Sequence, residues 1–346
     1  MKKKRILICI NELYANSVGI SLVNLLCSLD YTLYIVDLIF VKSQTQVINQ
    51  LPRNINIINS PFNTDELKFF NKMKYFHKYD LSIMYDVGDP KLCDLVKIAS
   101  KRNYIYLHKN FREIYVVENA YYKFINERKI LKFSGFLFTN KQLLDSFVRI
   151  HPETENKSKV LEYIVDEKRI ITLSKANIGT EKPNRTTLLV SVGSINDRAK
   201  NYSLMVKMMA NLVKLNNKVH LWIIGDGPDL VNLRMQVARN NLSDYITLFG
   251  FKNNPYPYMA LGDYYLNTSD KFDSSTALIE ARVLQKPIIS TNVDIQNNNT
   301  FIVSSDPNKI ANEVNEIILK KVIYTGQNNF WAENQHILRK FNDLVK

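Results

Sequence analysis

The sequence has no long hydrophobic run. No stretch approaches the roughly 18 to 20 uninterrupted apolar residues of a membrane-spanning helix, although hydrophobic residues make up 46% of the chain. The basic start, Met1–Arg5, is followed by the short apolar run Ile6–Ile10, which is not long enough for the core of a signal peptide. We therefore interpret this run as a first strand and expect a cytoplasmic protein.

Cysteine is also scarce. The chain has three cysteines, Cys9, Cys27 and Cys93, and their spacing does not match a metal site. Cys9 and Cys27 fall in patterns typical of a buried strand and a buried helix face. We expect reduced core thiols and no metal.

Two kinds of recognition motif are missing as well. The sequence lacks the G-x-G-x-x-G fingerprint of dinucleotide binding, which argues against an oxidoreductase with a nicotinamide cofactor. It also lacks zinc-ligand spacing, a helix-turn-helix pattern and an aromatic RNA-binding signature. We therefore expect no nucleic acid partner.

Acidic residues are too few to balance the basic ones. The formal net charge is +13, and residues 1–175 hold 27 Lys and Arg against 18 Asp and Glu. Such a surface suits an anionic membrane face or a phosphorylated substrate, and it is equally compatible with an ordinary lysine-rich surface. The run AYYKFINERKILKF predicts the contacts with an anionic acceptor or membrane: Lys123, Arg128, Lys129 and Lys132, with Tyr121, Tyr122 and Phe124 on an interfacial face.

The length of 346 residues predicts two domains. Short apolar runs alternate with amphipathic stretches, a pattern typical of parallel sheets with helical crossovers. The polar segment Ser174–Thr187 contains Gly and Pro and lacks periodicity, which indicates a linker. The sequence therefore predicts an α/β protein with two doubly wound Rossmann-like domains, whose ligands bind beyond the carboxyl ends of the strands. The predicted strands are Ile6–Ile10, Tyr34–Leu38, Ile55–Ile58, Leu81–Tyr85, Tyr104–Leu107 and Gly135–Thr139, then Leu188–Val192, Val219–Ile224, Ile246–Leu248, Tyr264–Leu266 and Ile288–Ser290.

Two loops after predicted strands can face an anion. Gly193 ends a strand, and Arg198 and Lys200 follow just before a helix, where cations and free backbone N–H groups favour a diphosphate. An ordinary basic loop is the alternative. The turn at Gly225 ends the next strand and allows a close backbone approach, but it indicates no particular ligand.

A third loop suits a flat base. The segment Gly250–Pro255 follows a predicted strand and includes Phe251 and Lys252. Its backbone can present donors and acceptors to a base, and Phe251 or Tyr256 can stack on it. The alternative is that the aromatic residues only pack.

A fourth block joins a loop to a helix. The hydroxyls of Ser274 and Ser275 suit a helix N-cap or a phosphate, and Glu280 follows about a turn and a half into the helix. A carboxylate can accept two hydrogen bonds from a ribose diol. A solvent-exposed helix glutamate is the alternative.

In order and spacing, these four blocks resemble the retaining GT-B glycosyltransferases of family 4, which include bacterial capsule, lipopolysaccharide and teichoic-acid enzymes. GDGP, LFGF-x-NNPYPY, TS, LIEA and KPIIST occur in the family's order over about Leu188–Asn292. The resemblance implies two Rossmann-like domains that face each other, an acceptor-side domain at 1–175 and a nucleotide-sugar domain at 183–325. A C-terminal helix at 326–346 would cross back to the first domain.

The resemblance also implies roles for single residues. Lys200 and Arg198 would bind the donor diphosphate beside Gly193 and Gly225. Gly250–Pro255 would hold the base, and Glu280 the ribose. The phosphates would also meet three residues at the helix start: Ser274, Ser275 and Thr276.

In the N-terminal half, KRILICI, SLVNLL and YIVDLIF resemble the family's first strand, helix and second strand. YLHKN resembles the loop that carries a histidine beside the reacting sugar, which assigns this catalytic role to His108. Gly19 belongs to a reduced form of the family's glycine-rich turn, on the acceptor side.

The implied function is transfer of a sugar from a nucleoside diphosphate sugar, with a UDP-sugar favoured, to a glycan or lipid-linked acceptor, without a cofactor or metal. The chain departs from the family at Ser194, which replaces an arginine, and at Phe272, which replaces a glutamate. We predict that the neighbouring Asp273 partly replaces that glutamate in catalysis. The alternative is a catalytically impaired homologue that acts as a carbohydrate-binding or partner subunit.

Overall fold

A computed structural model describes residues 2–14, 16–59, 75–109, 118–269, 276–293, 299–324, 326 and 328–346, with only the backbone at 59, 118, 198 and 199. Its contacts divide the chain into two compact units. The first unit comprises Met1–Val165 and Trp331–Lys346, and the second comprises Asp166–Phe330.

The first unit is built on a parallel sheet, which has seven strands in the described part of the chain, in the spatial order β3-β2-β1-β4-β5-β6-β7. The strands are β1 (Lys4–Leu13), β2 (Tyr34–Ser43), β3 (Asn56–Asn59), β4 (Leu81–Tyr85), β5 (Asn103–Leu107), β6 (Gly135–Phe138) and β7 (Ser158–Val160). The helices between them are α1 (Ser17–Ser28), α2 (Thr45–Ile48), α3 (Pro90–Ala99), α4 (Glu118–Glu127) and α5 (Lys141–Ile150).

The central strands of this sheet are buried on both faces. Ile6, Ile8 and Ile10 of β1 lie in the core, and β4 is buried along its whole length. Helices cover both faces of a parallel sheet, so continuous apolar runs are expected in its middle strands. This explains why β1 and β4 are recognisable from the sequence alone.

The second unit repeats this architecture. Its parallel sheet has six strands among the residues described, in the order β10-β9-β8-β11-β12-β13. The strands are β8 (Thr187–Val192), β9 (Val219–Ile224), β10 (Ile246–Gly250), β11 (Tyr264–Asn267), β12 (Ile288–Ser290) and β13 (Thr300–Ile302). The helices are α6 (Glu167–Ser174), α7 (Asp197–Lys200), α8 (Tyr202–Leu215), α9 (Leu230–Arg239), α10 (Tyr256–Leu261), α11 (Thr276–Val283) and α12 (Ile310–Leu319).

The last helix, α13 (Phe330–Val345), returns to the first unit. Ile337, Phe341 and Leu344 enter the core that also contains β1 and α1. Phe341 meets the ring of Tyr34 edge-on, with 6.5 Å between the ring centres, and the Tyr34 hydroxyl donates to Asn342 Oδ1 at 2.8 Å. The first core is therefore completed by residues from the opposite end of the chain.

The polar segment Ser174–Thr187 is not where the chain passes between units. Along the chain, the first unit ends at Val165 and the second begins at Asp166, so α6 and the segment after it lie within the second unit. Lys182 in that segment is held by an ion pair to Asp263 at 2.5 Å. The boundary lies before residue 175 because α6 packs on α10 and α11 of the second unit.

All eleven predicted strands are present, with ends that shift by up to five residues. The prediction missed β7 and β13, which have three residues each and occupy sheet edges, so neither gives a clear apolar run. The prediction for Cys27 was wrong, because its side chain is exposed at the end of α1, whereas Cys9 and Cys93 are buried.

Replacing Phe341 should show how far the first unit depends on α13. Phe341 is fully buried, so Phe341→Ala should lower the free energy of unfolding by about 3–5 kcal/mol. Trp331→Ala, in the same helix but at a side chain that is 72% exposed, is the control and should change it by no more than about 0.5 kcal/mol. Urea unfolding of the full chain measures both, and equal losses would contradict the assignment of α13 to the first core.

Candidate active site

Three predicted glycines meet at the carboxyl edge of the second sheet. The N–H of Gly193, after β8, donates to the carbonyl of Ile224 at 3.0 Å. The N–H of Gly225, after β9, donates to the carbonyl of Gly250 at 2.9 Å. The loops after β8, β9 and β10 therefore lie side by side, at the edge where ligands of doubly wound sheets bind.

Gly225 is the residue that allows this approach. Its φ is +151°, and a Cβ atom there would overlap the carbonyl group of Gly193. Only glycine adopts this conformation without strain, so the backbone at this corner packs more closely than any side chain permits.

Lys200 lies against the same corner. A Cβ on Gly193 would stand 3.3 Å from Lys200 Cε and 3.8 Å from its ammonium nitrogen. The hydroxyl of Thr268, after β11, donates to the carbonyl of Lys200 at 2.9 Å. Since β8 and β11 are neighbours in the sheet while the chain runs from β8 to β9, Lys200 lies over the topological switch point, the usual place for a ligand.

The loop that carries Lys200 is held by hydrogen bonds. Asp197 accepts from the N–H and the hydroxyl of Ser203, both at 2.6 Å. Asp229 in turn accepts from the N–H of Asp197 at 2.8 Å. Arg198 lies in the same short helix, α7, as Lys200. The short helix thus brings Lys200 and the backbone of Arg198 to this edge.

The segment Gly250–Pro255 presents an exposed ring. Gly250 has φ +69°, and Phe251 is 51% exposed. The preceding Phe249 instead packs on Tyr258, with 4.8 Å between ring centres. Lys252 holds its ammonium 6.0 Å from the centre of the Tyr258 ring. Phe251 can therefore stack on a base, whereas Phe249 serves the packing of the loop.

Glu280 lies in α11 and is not a solvated helix residue. The hydroxyl of Tyr256 donates to its Oε1 at 3.2 Å. Burial raises the pKa of Glu280 to about 7, against the opposing effects of hydrogen bonds from Tyr256 and Thr276 and the charge of Arg169. The protonation of Glu280 therefore depends on pH near neutrality.

Arg169 was missed by the sequence reasoning. It lies in α6, within the predicted first domain (1–175). The structure places α6 in the second unit, where the charge of Arg169 lowers the pKa of Glu280. The sequence does contain a helix signal here, because Asp166 accepts from the N–H of Arg169 at 2.9 Å and caps α6. No pattern in the sequence linked this helix to Glu280.

Part of the predicted site lies outside the described residues. Asp273, Ser274 and Ser275 belong to the segment 270–275, as does Phe272. Thr276 is the first residue of α11 and hydrogen-bonds to Glu280. The roles predicted for the other residues stay predictions.

His108 follows β5 in the first unit and is buried among aromatic rings. Its Nδ1 lies 2.8 Å from the hydroxyl of Tyr163, and the two rings are stacked. Burial, with the nearby charge of Lys109, lowers the pKa of His108 to about 3. The imidazole is therefore neutral over the physiological pH range. It can serve as a hydrogen-bonding group but does not carry a positive charge.

Gly19 lies in the first turn of α1 and not in a loop. Its N–H donates to Asn16 Oδ1 at 2.9 Å, and a Cβ there would overlap the carbonyl of Tyr14. The residue lets α1 begin directly against the end of β1. Its role on the acceptor side stays a prediction.

The interfacial face predicted in the first unit is only partly present. Tyr121 and Phe124 are buried, so the prediction that they meet a membrane was wrong. Arg128 is also mostly buried, because its guanidinium covers the Phe124 ring and its Nε donates to the carbonyl of Gly88. Of the contacts predicted in this run, the exposed ones are Tyr122, Lys123, Lys129 and Lys132.

Comparison with known proteins shows which family the second unit resembles. Residues 186–320 match the family described as glycosyl transferases group 1, a span that includes every predicted donor residue from Gly193 to Glu280. This part of the chain is similar to the group 1 glycosyltransferases. The chain is 24% identical over 226 residues to the N-acetylgalactosamine-N,N'-diacetylbacillosaminyl-diphospho-undecaprenol 4-alpha-N-acetylgalactosaminyltransferase of Campylobacter jejuni, which covers 65% of this chain.

A second relative is the lipopolysaccharide core biosynthesis glycosyltransferase LpsE of Rhizobium meliloti, 22% identical over 133 residues and 38% of the chain. The two matches span 57% and 37% of those relatives' own lengths. Among solved structures, HepE of Anabaena in complex with UDP-glucose matches 98% of this chain and 100% of its own, with a TM-score of 0.73 and 15% identity. The fold is therefore the two-domain α/β fold of GT-B glycosyltransferases.

Among the residues that the structure describes, no helix has both the length and the apolar character needed to cross a bilayer.

The corner at Gly225 should be intolerant of any side chain. Gly225→Ala combines an unfavourable φ with overlap of the Gly193 carbonyl, and we expect a loss of about 2–4 kcal/mol in the free energy of unfolding. Gly179→Ala is the control, because Gly179 also has a positive φ, +65°, but open space around its Cβ position. It should cost only about 1–2 kcal/mol. Urea unfolding of both variants measures the difference, and equal losses would show that the close approach is not essential.

Proposed function

We propose that this chain transfers a sugar, with retention, from a nucleoside diphosphate sugar, with UDP-sugars favoured, to a glycan or lipid-linked acceptor. The observation that carries the proposal is the position of the Lys200 ammonium, beside Gly193 and over the switch point of the second sheet. A cation at this place, among backbone groups that no side chain obstructs, suits a diphosphate.

Each part of the donor has a corresponding group in the second unit. Lys200 and Arg198 bind the diphosphate and stabilise its negative charge as it leaves. Such electrostatic stabilisation is usually the largest single contribution to catalysis. The loop Gly250–Pro255 holds the base, with Phe251 as the stacking ring. The ionised form of Glu280 accepts hydrogen bonds from the ribose diol. No metal is required in this scheme.

The relatives support the choice of substrates. HepE was crystallised with UDP-glucose, which favours a UDP-sugar as the donor here. The name of the Campylobacter jejuni relative includes a diphospho-undecaprenol glycan, which favours a lipid-linked acceptor. In the first unit, a neutral His108 would contribute hydrogen bonding near the reacting sugar, and Asp273 would supply a carboxylate in place of the family's glutamate.

Glu280 gives the proposal a pH signature. Because the pKa of Glu280 is about 7, the carboxylate fraction rises between pH 6 and pH 8, and a carboxylate accepts stronger hydrogen bonds than the neutral acid. UDP should therefore bind more tightly at pH 8 than at pH 6. Glu280→Gln should weaken UDP binding by about 1–3 kcal/mol and remove this group's share of the pH dependence.

Calorimetry at both pH values measures these effects. Glu316→Gln is the matched control, since Glu316 is an exposed helix glutamate and should keep the wild-type profile. The titration of the UDP phosphate is common to all three proteins and cancels in the comparison. Unchanged affinity in Glu280→Gln would remove Glu280 from the donor site.

An assay of donor hydrolysis and transfer with a panel of UDP-sugars tests the activity itself. Turnover above the uncatalysed rate supports the enzyme. UDP binding without turnover would favour the impaired homologue, a reading motivated by the exposed Ser194 where the family has an arginine.

We also propose that the protein is cytoplasmic and that its first unit contacts an anionic membrane face through Lys123, Lys129 and Lys132, with Tyr122 beside them. These side chains are exposed, and the Tyr122 ring is 41% exposed. An amphipathic ring flanked by lysines suits the boundary between headgroups and water. This contact would bring a lipid-linked acceptor to the enzyme.

Vesicle cosedimentation tests this surface. The double variant Lys123→Glu/Lys132→Glu should reduce binding to phosphatidylglycerol vesicles several-fold at low salt, and wild-type binding should decline as salt rises. Lys214→Glu/Lys320→Glu makes the same charge change at exposed lysines of the second unit and should bind like the wild type. Equal losses in both variants would indicate net charge alone, and binding to neutral vesicles would contradict an anionic surface.

A further inference from the structure

Asp86 occupies the ligand-binding edge of the first sheet. It directly follows β4, and β4 lies beside β1, whereas the chain runs from β1 to β2 on the other side. The carboxyl ends of β1 and β4 therefore border the switch point of this sheet, where a doubly wound domain binds its ligand. No predicted site residue lies after β4.

The backbone at Asp86 is fixed in an uncommon conformation. Its φ is +67°, which few residues other than glycine adopt. Its N–H donates to the carbonyl of Tyr106 at 3.0 Å, and the carbonyl of Gly88 accepts from Arg128 Nε at 3.1 Å. Asp89 then caps α3 by accepting from the N–H of Lys91 at 2.7 Å. The turn is thus built to hold the Asp86 side chain in one place, at a cost in strain.

The Asp86 carboxyl is buried on one side and incompletely satisfied. Its Oδ1 is inaccessible to solvent and has no hydrogen-bond partner among the described residues. Burial raises the pKa of Asp86, and the charge of Lys109 and the N–H of Val87 oppose this effect only in part. Asp86 as a residue is partly exposed, so a ligand can approach its carboxyl group. A donor there would offset the cost of the oxygen that has no partner.

Asp37 shows what a structural carboxyl in the same sheet looks like. It is also buried, and it accepts from the Tyr79 hydroxyl at 2.6 Å, from Asn56 at 2.8 Å and from Arg5 at 3.1 Å. Each of its oxygens has a partner. Among the residues that the structure describes, Asp86 has no comparable set of partners, although it lies at the ligand-binding edge.

We propose that Asp86 binds a hydroxyl group of the sugar acceptor, an inference that rests on the glycosyl transfer proposed above. A hydroxyl is a neutral donor, and it suits a carboxyl whose neighbour is already the Lys109 ammonium. A metal ion does not suit it, since a single carboxyl beside a cation offers too few ligands and an opposing charge. The donor nucleotide is served by residues of the second unit, so a ligand at the first sheet is the acceptor.

The test compares Asp86→Asn with Asp89→Asn. The control makes the same change three residues later in the same turn, and asparagine keeps the capping function of Asp89. The probes are octyl glycosides of glucose, galactose, N-acetylglucosamine and N-acetylgalactosamine, with the UDP-sugar that the wild type turns over. We expect Asp86→Asn to raise the KM for the glycoside about tenfold or more, with the affinity for UDP and the rate of donor hydrolysis unchanged. Asp89→Asn should have the wild-type KM.

Deoxy glycosides identify the hydroxyl group. Removing the hydroxyl that Asp86 binds should raise the KM of the wild type but leave that of Asp86→Asn unchanged, because the two changes delete the same interaction. A purely structural Asp86 would not show this loss of additivity. Melting temperature separates the alternatives further: Asp86→Asn should melt about 2 °C higher at pH 8, since it removes a buried ionised group.

Carbon-13 NMR of aspartate carboxyls in the wild type gives an answer even if Asp86→Asn fails to fold or the chain proves inactive. A bound octyl glycoside should lower the pKa of Asp86, because a hydroxyl that donates to the carboxylate favours its charged form. An Asp86 pKa and a glycoside KM that match those of the Asp89→Asn control would overturn the proposal, as would failure of every glycoside to shift the Asp86 resonance. Loss of UDP binding or of donor turnover in the wild type would instead count against the proposed function.

Discussion

The close approach of two backbone segments, Gly225 against the carbonyl of Gly193, is the constraint on which the second unit depends. It joins the ends of β8 and β9, and the N–H of Gly225 ties β10 to them through the carbonyl of Gly250. Because neither Gly193 nor Gly225 carries a side chain, the Lys200 ammonium lies close to the backbone at the sheet edge. A nucleotide site on a parallel sheet needs such a region, since phosphates must come close to backbone N–H groups.

Among the described residues, burial raises the pKa of one carboxyl group in each unit. The two groups are Glu280 and Asp86, and the charges of Arg169 and Lys109, respectively, oppose the effect of burial on their pKa values. Full pairing, as at Asp37, would stabilise the fold and leave nothing for a ligand. Glu280 has hydrogen bonds from Tyr256 and Thr276, whereas Asp86 has one oxygen without a partner among the described residues. Carboxyl groups with raised pKa values are common at functional sites.

In both units, a helix that is distant along the chain contributes to the structure. Helix α13 completes the core of the first unit, and α6 brings Arg169 to the second unit from just after the boundary at Val165. The core of the first unit therefore needs both ends of the chain. The environment of Glu280 likewise depends on a helix that precedes the first strand of its own sheet.

The sequence by itself determined the class of fold, the strands buried on both faces, and the glycines and Lys200 of the donor loop, because apolar runs and loop motifs are local properties of the chain. It also supported the family, since the four donor blocks keep their order along the chain. Only the tertiary structure decided that Cys27 is exposed, that Tyr121 and Phe124 are buried, that α6 belongs with Glu280, and that Asp86 lacks the partners that Asp37 has. Burial and pairing depend on residues far apart in sequence, and no local pattern encodes which of them will meet.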